Sequence, residues 1–451
     1  ATTEIYTLSL HDALPICQSC RSSTRLSSFS MSFLLPIFIR FLFLCLYFYS
    51  YKRIFLKIDL KKTLFFHFFV TFVDDYVKWM LRIMEKKKIV IACDSYKGCL
   101  TSKEVNFQLG VRSEELGVNA DIVTLEMSDG GDGMLDAFLS AMGGERVAMH
   151  AHDALMRWID AEYGIANDTA IIEIANTAGL ALIEPEQRNP MKATSWGVGE
   201  QIMHAYRRGI RHFIVGLGGS ATSDCGIGML KAMGDDWKKI RKDCSFVLAS
   251  DVTNPLCGPN GAARVFAPQK GADAKMVEIL DARARKFAEV SKKHFEKEQD
   301  DARSSQDMIV DASEMPGAGA AGGLGYAFLQ YFHAEFHSGA DLLLDAIDFE
   351  HLVADAELVI TGEGHSDKQT LMGKMPQKIL GRAKNANANL PVWLISGGIS
   401  DKEALLDAGF DKVIAVTPED MPLDEAMKPE TAKNLLRGLH WEGRFVTCPI
   451  S

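Results

Sequence analysis

The chain has 451 residues, enough at about 150 per domain for two or three domains and a sizeable core. A net charge of −10 argues against nucleic acid as the main partner, because a phosphate backbone rewards a surplus of Lys and Arg. Hydrophobic residues at 47% and charged residues at 24% exclude disorder, collagen and low complexity for the bulk of the chain.

The first 84 residues differ from the rest. They contain no glycine, 12 of the 25 Phe, and 10 Lys+Arg against 5 Asp+Glu. Residues 31–50 approach transmembrane length, with Arg40 in the middle and Pro36 near the start. That segment reads either as a signal anchor or as translation of non-native sequence. The second reading is preferred: residues 5–16, IYTLSLHDALPI, look like translated sequencing adaptor, and the glycine-free run after them like translated AT-rich non-coding DNA. Residues 1–83 are therefore expected to be a non-native leader, with Met84 the start of a protein that has no membrane partner. The nine Cys are odd in number and lack framework spacing, which points to a reducing, cytoplasmic setting. Cys17-x-x-Cys20 lacks the second pair a zinc site needs.

From Met84 onward, short β-branched runs alternate with helical patterns, the signature of an α/β protein. A strand is expected over Lys88–Cys93, ending at Asp94-Ser95-Tyr96-Lys97-Gly98, then a helix from about Lys103. Asp121–Glu126 reads as a strand, followed by Ser128-Asp129-Gly130-Gly131-Asp132-Gly133 and a helix over Met134–Met142 that Gly143-Gly144 stops. Short strands with turns follow to Ile174, and a domain boundary is expected near residue 148. Further strands are expected at Ile210–Val215, Phe246–Ser250, Leu358–Ile360 and Val392–Ile395. Residues 272–310 read as a charged, helix-rich, solvated stretch.

Four glycine-rich turns carry acidic or hydroxyl residues: DGGDG at 129–133, GLGGS at 216–220, GAGAAGGLG at 317–325 and TGEGHSD at 361–367. Glycine permits close backbone approach, and helix N-termini present free N–H groups that suit phosphate. Taken singly, such a turn is more often tight packing. GAGAAGGLG contains G-x-G-x-x-G but lacks the preceding strand of a dinucleotide fold, and no P-loop motif is present. Asp94, Asp129, Asp132, Asp224, Asp251, Glu363 and Asp367 fall at or just after expected strand ends, the edge where parallel sheets bind ligands. Magnesium needs one or two such carboxylates plus substrate phosphates. Asp129 and Asp224 could equally be helix caps. Lys97, Lys270 and Lys374 sit in glycine contexts and could neutralise a transferring phosphoryl group, although any one of them could be an ordinary surface lysine.

These segments together resemble the bacterial class I glycerate kinases. The resemblance rests on KIVIACDSYKGCLTSKEV (88–105), MSDGGDGMLDA (127–137), RNPMKATSWGVGEQI (188–202), GLGGSATSDCGIGML (216–230), ASDVTNPLCGPNGAARVFAPQKGAD (249–273), PGAGAAGGLGYA (316–327) and LVITGEGHSDKQTLMGKMP (358–376). It implies ATP-dependent phosphorylation of glycerate, at the 2-hydroxyl to give 2-phosphoglycerate. It also implies a flavodoxin-like parallel-sheet α/β domain from 84–148 and 316–451, with a second α/β domain, 149–315, inserted. Ser223 and Cys225 depart mildly from the family pattern. The stretch from Met233 to Cys244 is shorter than in the family, which leaves a catalytically impaired ligand-binding relative, or a kinase of another small hydroxy acid, as alternatives.

For such a reaction the residues above are expected to divide as follows. Gly218, Gly219, Ser220, Gly319, Gly322, Gly323, Glu363 and Lys374 are expected to bind ATP. Asp129, Asp132 and Asp251 are expected to hold Mg²⁺. Asp94, Ser95 and Asn254 are expected to bind glycerate, and Lys97, Lys270 and Asp224 to act catalytically, Asp224 orienting the attacking hydroxyl.

Overall fold

Strands rich in Val and Ile organise two sheets. The computed structural model describes residues 87–115, 120–131, 133–301 and 311–439, which belong to one compact unit. The leader 1–83, the apolar segment 31–50, the Cys17-x-x-Cys20 pair and Asp132 lie outside the described residues. Among the described residues no helix is long and apolar enough to cross a membrane.

The first sheet contains β1 (Lys87–Cys93), β2 (Ala120–Thr124), β9 (Leu358–Gly362), β11 (Val392–Ser396) and β13 (Lys412–Ala415), in the order β13-β11-β9-β1-β2, while β10 (His365–Ser366) and β12 (Gly398–Ile399) pair with each other alone. Every pair is parallel. Side chains alternate between faces along each strand, so both faces of a continuous apolar run are covered. Val90, Ala92, Val359 and Leu394 pack with Phe138, Leu343 and Ile379 on one side. Ile89, Ile91, Ile360 and Ile395 pack with Val105, Leu109 and Leu436 on the other. The first face is covered by helices Met134–Met142, Gly339–Ala346 and Met375–Ala386, the second by Ser102–Glu115 and Pro429–Arg437.

The second sheet runs β3 (Glu145–His152), β4 (Trp158–Ala166), β5 (Thr169–Glu173), β6 (His212–Gly216), β7 (Ser245–Ala249) and β8 (Glu335–His337) in sequence order. Its first two pairings are antiparallel and the rest parallel. Residue 148 lies inside β3, paired with Glu162, and the strand at 335–337 belongs to this sheet. The strands of this second sheet therefore span Glu145 to His337. Its Ile171 and Ala249 join the same core cluster as Met134 and Phe138.

Helix Met134–Met142 stops at Gly143 (φ +66°), as its sequence predicts. The helical conformation in GAGAAGGLGYA resumes only after Ala321, Gly322 and Gly323, all at positive φ. The short 233–244 stretch is a packed helix, Trp237–Asp243. Ile240 is fully buried there, and the Trp237 ring meets the edge of Tyr331 at 5.2 Å between centroids.

Candidate active site

Parallel strands deliver their following loops to one edge, and here the loops after β1, β9, β11 and β13 enclose a crevice of about 490 Å³. Asp94 is the first residue beyond β1. Its N–H donates to the Gly362 carbonyl at 2.8 Å, and its carboxylate accepts the Ser95 N–H at 2.7 Å. Only 6% of Asp94 is exposed. Burial, then the neighbouring Asp129 charge, pushes its carboxyl up to about 7, against the opposing pull of the Ser95 N–H and Lys97. Lys97 Nζ donates to Asp129 Oδ2 at 3.1 Å, and Asp129 Oδ1 accepts the Gly131 N–H at 3.3 Å.

Glu363, the first residue after β9, is held by three donors. Thr370 Oγ1 reaches it at 2.6 Å, Ser366 Oγ at 3.2 Å and Lys374 Nζ at 3.5 Å. The fold thus gathers Asp94, Ser95, Lys97, Asp129, Glu363 and Lys374 around one crevice. Asp251, two residues beyond β7, takes a hydrogen bond from Ser338, and burial pushes its carboxyl up against the opposing pull of that bond and of Lys378.

The other expected residues take different places. Asp224 Oδ2 accepts the Ser195 N–H at 2.9 Å, Ser195 Oγ at 3.0 Å, Thr194 Oγ1 at 3.3 Å and the Gly228 N–H at 3.0 Å, while Oδ1 accepts the Gly226 N–H. It caps the helix Ile227–Met233 and is saturated by its own chain. Lys270 is 3% exposed and donates to Ser220 Oγ at 2.8 Å and the Thr222 carbonyl at 2.7 Å. Burial pulls its ammonium down to about 7, with Asp224 opposing. Lys270 therefore braces the 220–224 turn from inside.

The glycines of the other turns serve backbone contact. Gly218 N–H donates to the Gly130 carbonyl at 3.4 Å, and a Cβ on Gly218 would lie 2.4 Å from Gly131 Cα. Gly319 donates its N–H to Asn254 O at 2.8 Å, and a Cβ on Gly322 would lie 1.9 Å from Thr222 O. Asn254 Nδ2 itself donates to Asn260 O at 2.8 Å. Gly218, Gly219, Ser220, Asn254, Gly319, Gly322 and Gly323 do not line the crevice. Not foreseen from the sequence are Ser366 and Thr370, whose hydroxyls at 3 and 7 residues after Glu363 were the available signal, and the Met421–Met427 wall of the crevice.

A doubly wound sheet with acids and lysines gathered at its strand ends, joined to a second α/β lobe, defines a two-lobed α/β enzyme suited to phosphorylated ligands. The chain belongs to the glycerate kinase family, whose profile matches residues 89–239 and 235–440, and it is a kinase. The two matches meet at the shortened stretch. The chain is 36% identical over 370 residues to Glycerate 2-kinase of Escherichia coli (strain K12), covering 76% of this chain and 93% of that one. It is likewise 36% identical over 371 residues to Glycerate kinase of Bacillus subtilis (strain 168), covering 76% and 93%. A crystal structure from Salmonella typhimurium LT2, assigned as a glycerate kinase 2, superposes with a TM-score of 0.64 at 36% identity, covering 78% of this chain and 96% of that one.

Proposed function

We propose that the chain transfers the γ-phosphoryl group of ATP to glycerate, at the 2-hydroxyl, in the crevice at the strand ends of the first sheet. The carrying observation is the buried Asp94 carboxyl beside Lys97, Asp129, Glu363 and Lys374. The bond between the γ-phosphorus and the ADP oxygen breaks, the glycerate oxygen bonds to that phosphorus, and the hydroxyl proton passes to Asp94. A base is most effective when its pKa lies near the working pH, which a carboxyl at about 7 meets. Asp94 takes this role instead of Asp224, whose oxygens are filled by five donors. Lys97 and Lys374 supply positive charge for a loose, charge-rich transition state.

Magnesium suits the donors present. Among the described residues no three His, Cys, Asp or Glu side chains converge as a metal cage, and this ion takes one or two carboxylates with phosphate oxygens and water. Asp129 and Asp251 would hold it, and bound there it would neutralise phosphate charge. The sheets act as two lobes, one from both ends of the described chain and one from Glu145–His337. The described cysteines, all free thiols, accord with a cytoplasmic setting.

The test is ADP release by the full chain with ATP, Mg²⁺ and D-glycerate, with the product identified by NMR. Formation of 2-phosphoglycerate is expected. ADP release no faster than in the absence of glycerate overturns the assignment, and 3-phosphoglycerate overturns the choice of hydroxyl.

A further inference from the structure

Glycerate has three carbons and four oxygens, so the crevice is too large and too apolar for it alone. The acids and lysines occupy one end, where Lys97 contacts Asp129 and Lys374 contacts Glu363. Most of the apolar lining comes from the segment after β13, chiefly Val416, Met421, Leu423, Met427 and Leu435. Leu423 is 73% exposed and Met427 39%, and both face the crevice. Large apolar side chains held open to a crevice mark a surface built for an apolar or aromatic ligand. Thioethers are particularly good partners for ring systems.

The two ends are continuous, since Lys97 and Lys374 line the same cavity as Met421, Leu423 and Met427. A ligand that is flat and apolar at one end and multiply anionic at the other fits this lining, and glycerate is neither. We propose that the Met421–Leu435 wall is the purine subsite of the nucleotide donor, with its phosphates directed toward Lys97 and Lys374. This rests on the kinase reading above and adds where the donor lies: in the first-sheet lobe, away from the glycine turns at 216–220 and 317–325.

Cys99 also lines the crevice, packed against the apolar cluster that contains Val416 and Ala432. It is a ready reporter. In the full chain, ADP should slow alkylation of Cys99, followed by mass spectrometry, at least fivefold. Tripolyphosphate and glycerate should each change it less than twofold. Cys244, which precedes β7 in the other lobe, serves as the internal control. The neutral double variant L423Q/M427Q should raise the calorimetric Kd of ADP at least fivefold and leave the KM for glycerate within twofold. Leu423→Gln alone, at an exposed position, gives a fold-safe check in the same direction. Absence of protection by ADP, equal protection by tripolyphosphate, or an unchanged Kd in the double variant each overturns the subsite. If the wild type phosphorylates glycerate while any of these holds, only the subsite falls. If ADP protects Cys99 and the double variant weakens ADP, but glycerate is not phosphorylated, the subsite stands and the activity reading falls.

Discussion

Asp94 shows what one side chain contributes at opposite ends of the pH scale. An unfolded chain releases an Asp proton near pH 4, whereas here burial holds the carboxyl at about 7. Between those values the folded state carries the extra proton, so stability falls as pH rises through the window and stays lower above it. Asp94→Asn keeps an acceptor for the Ser95 N–H and removes the buried charge. At pH 8 its melting temperature should therefore exceed that of the parent by about 2–4 °C, with no gain at pH 4. If Asp94 accepts the substrate proton, the same variant should lose at least about a hundredfold in kcat. Thermal melts at both pH values, alongside a coupled ADP assay, check the two halves. Lys270 has the opposite sign. Its ammonium is pulled down from 10.5 to about 7, so the folded state binds fewer protons between those values and stability rises with pH across them. Lys270→Met should abolish that rise, as read from urea midpoints at pH 7 and pH 9.5.

At the scale of single elements, the glycine turns divide into those that need space and those that need only backbone freedom. Gly322 needs both: φ is +67° and a Cβ would sit 1.9 Å from a backbone oxygen of Thr222 that cannot swing away. Gly133 has φ +83° with nothing within 4 Å. Gly133→Ala should cost about 1–2 kcal/mol from left-handed strain alone, and Gly322→Ala more than about 3 kcal/mol, measured by urea denaturation. This division explains what the sequence could disclose. Strand runs such as KIVIAC and LVITG are legible because every second residue faces a different core cluster, and the acids at their ends follow from parallel topology. The helix over Met134–Met142 was marked by its glycines. What the glycines themselves do was not legible. GLGGS and GAGAAGGLG have the composition of anion cradles, yet their neighbours in space, Gly131 and Thr222, come from turns far away in the chain. The partners of Asp224 were hidden for the same reason, since Thr194 and Ser195, which hydrogen-bond to it, lie about 30 residues upstream.

For the whole molecule, the decisive contact is the one that joins the two sheets. Ile171 and Ala249 from the second sheet share a core with Phe138 and Leu343 from helices that cover the first, so the lobes are cemented by apolar packing. Above that core the 130–131 and 216–218 turns lie backbone against backbone. Asp129, which pairs with Lys97 in the crevice, belongs to the first of these turns. A methyl group on Gly218 would stand 2.4 Å from Gly131 Cα, about 1 Å inside an ordinary contact. The core beneath is too extensive to part, so the turn must move and carry Asp129 with it. Displacements of that size at reacting groups cost on the order of a hundredfold in rate. Gly218→Ala should therefore lower kcat by about a hundredfold while the melting temperature changes by only a few degrees. The Kd for ADP should stay within threefold, because the Met421–Leu435 wall is untouched. Loss of nucleotide affinity in parallel with kcat would instead place the phosphates on the 216–220 turn, and calorimetry with ADP separates the two outcomes.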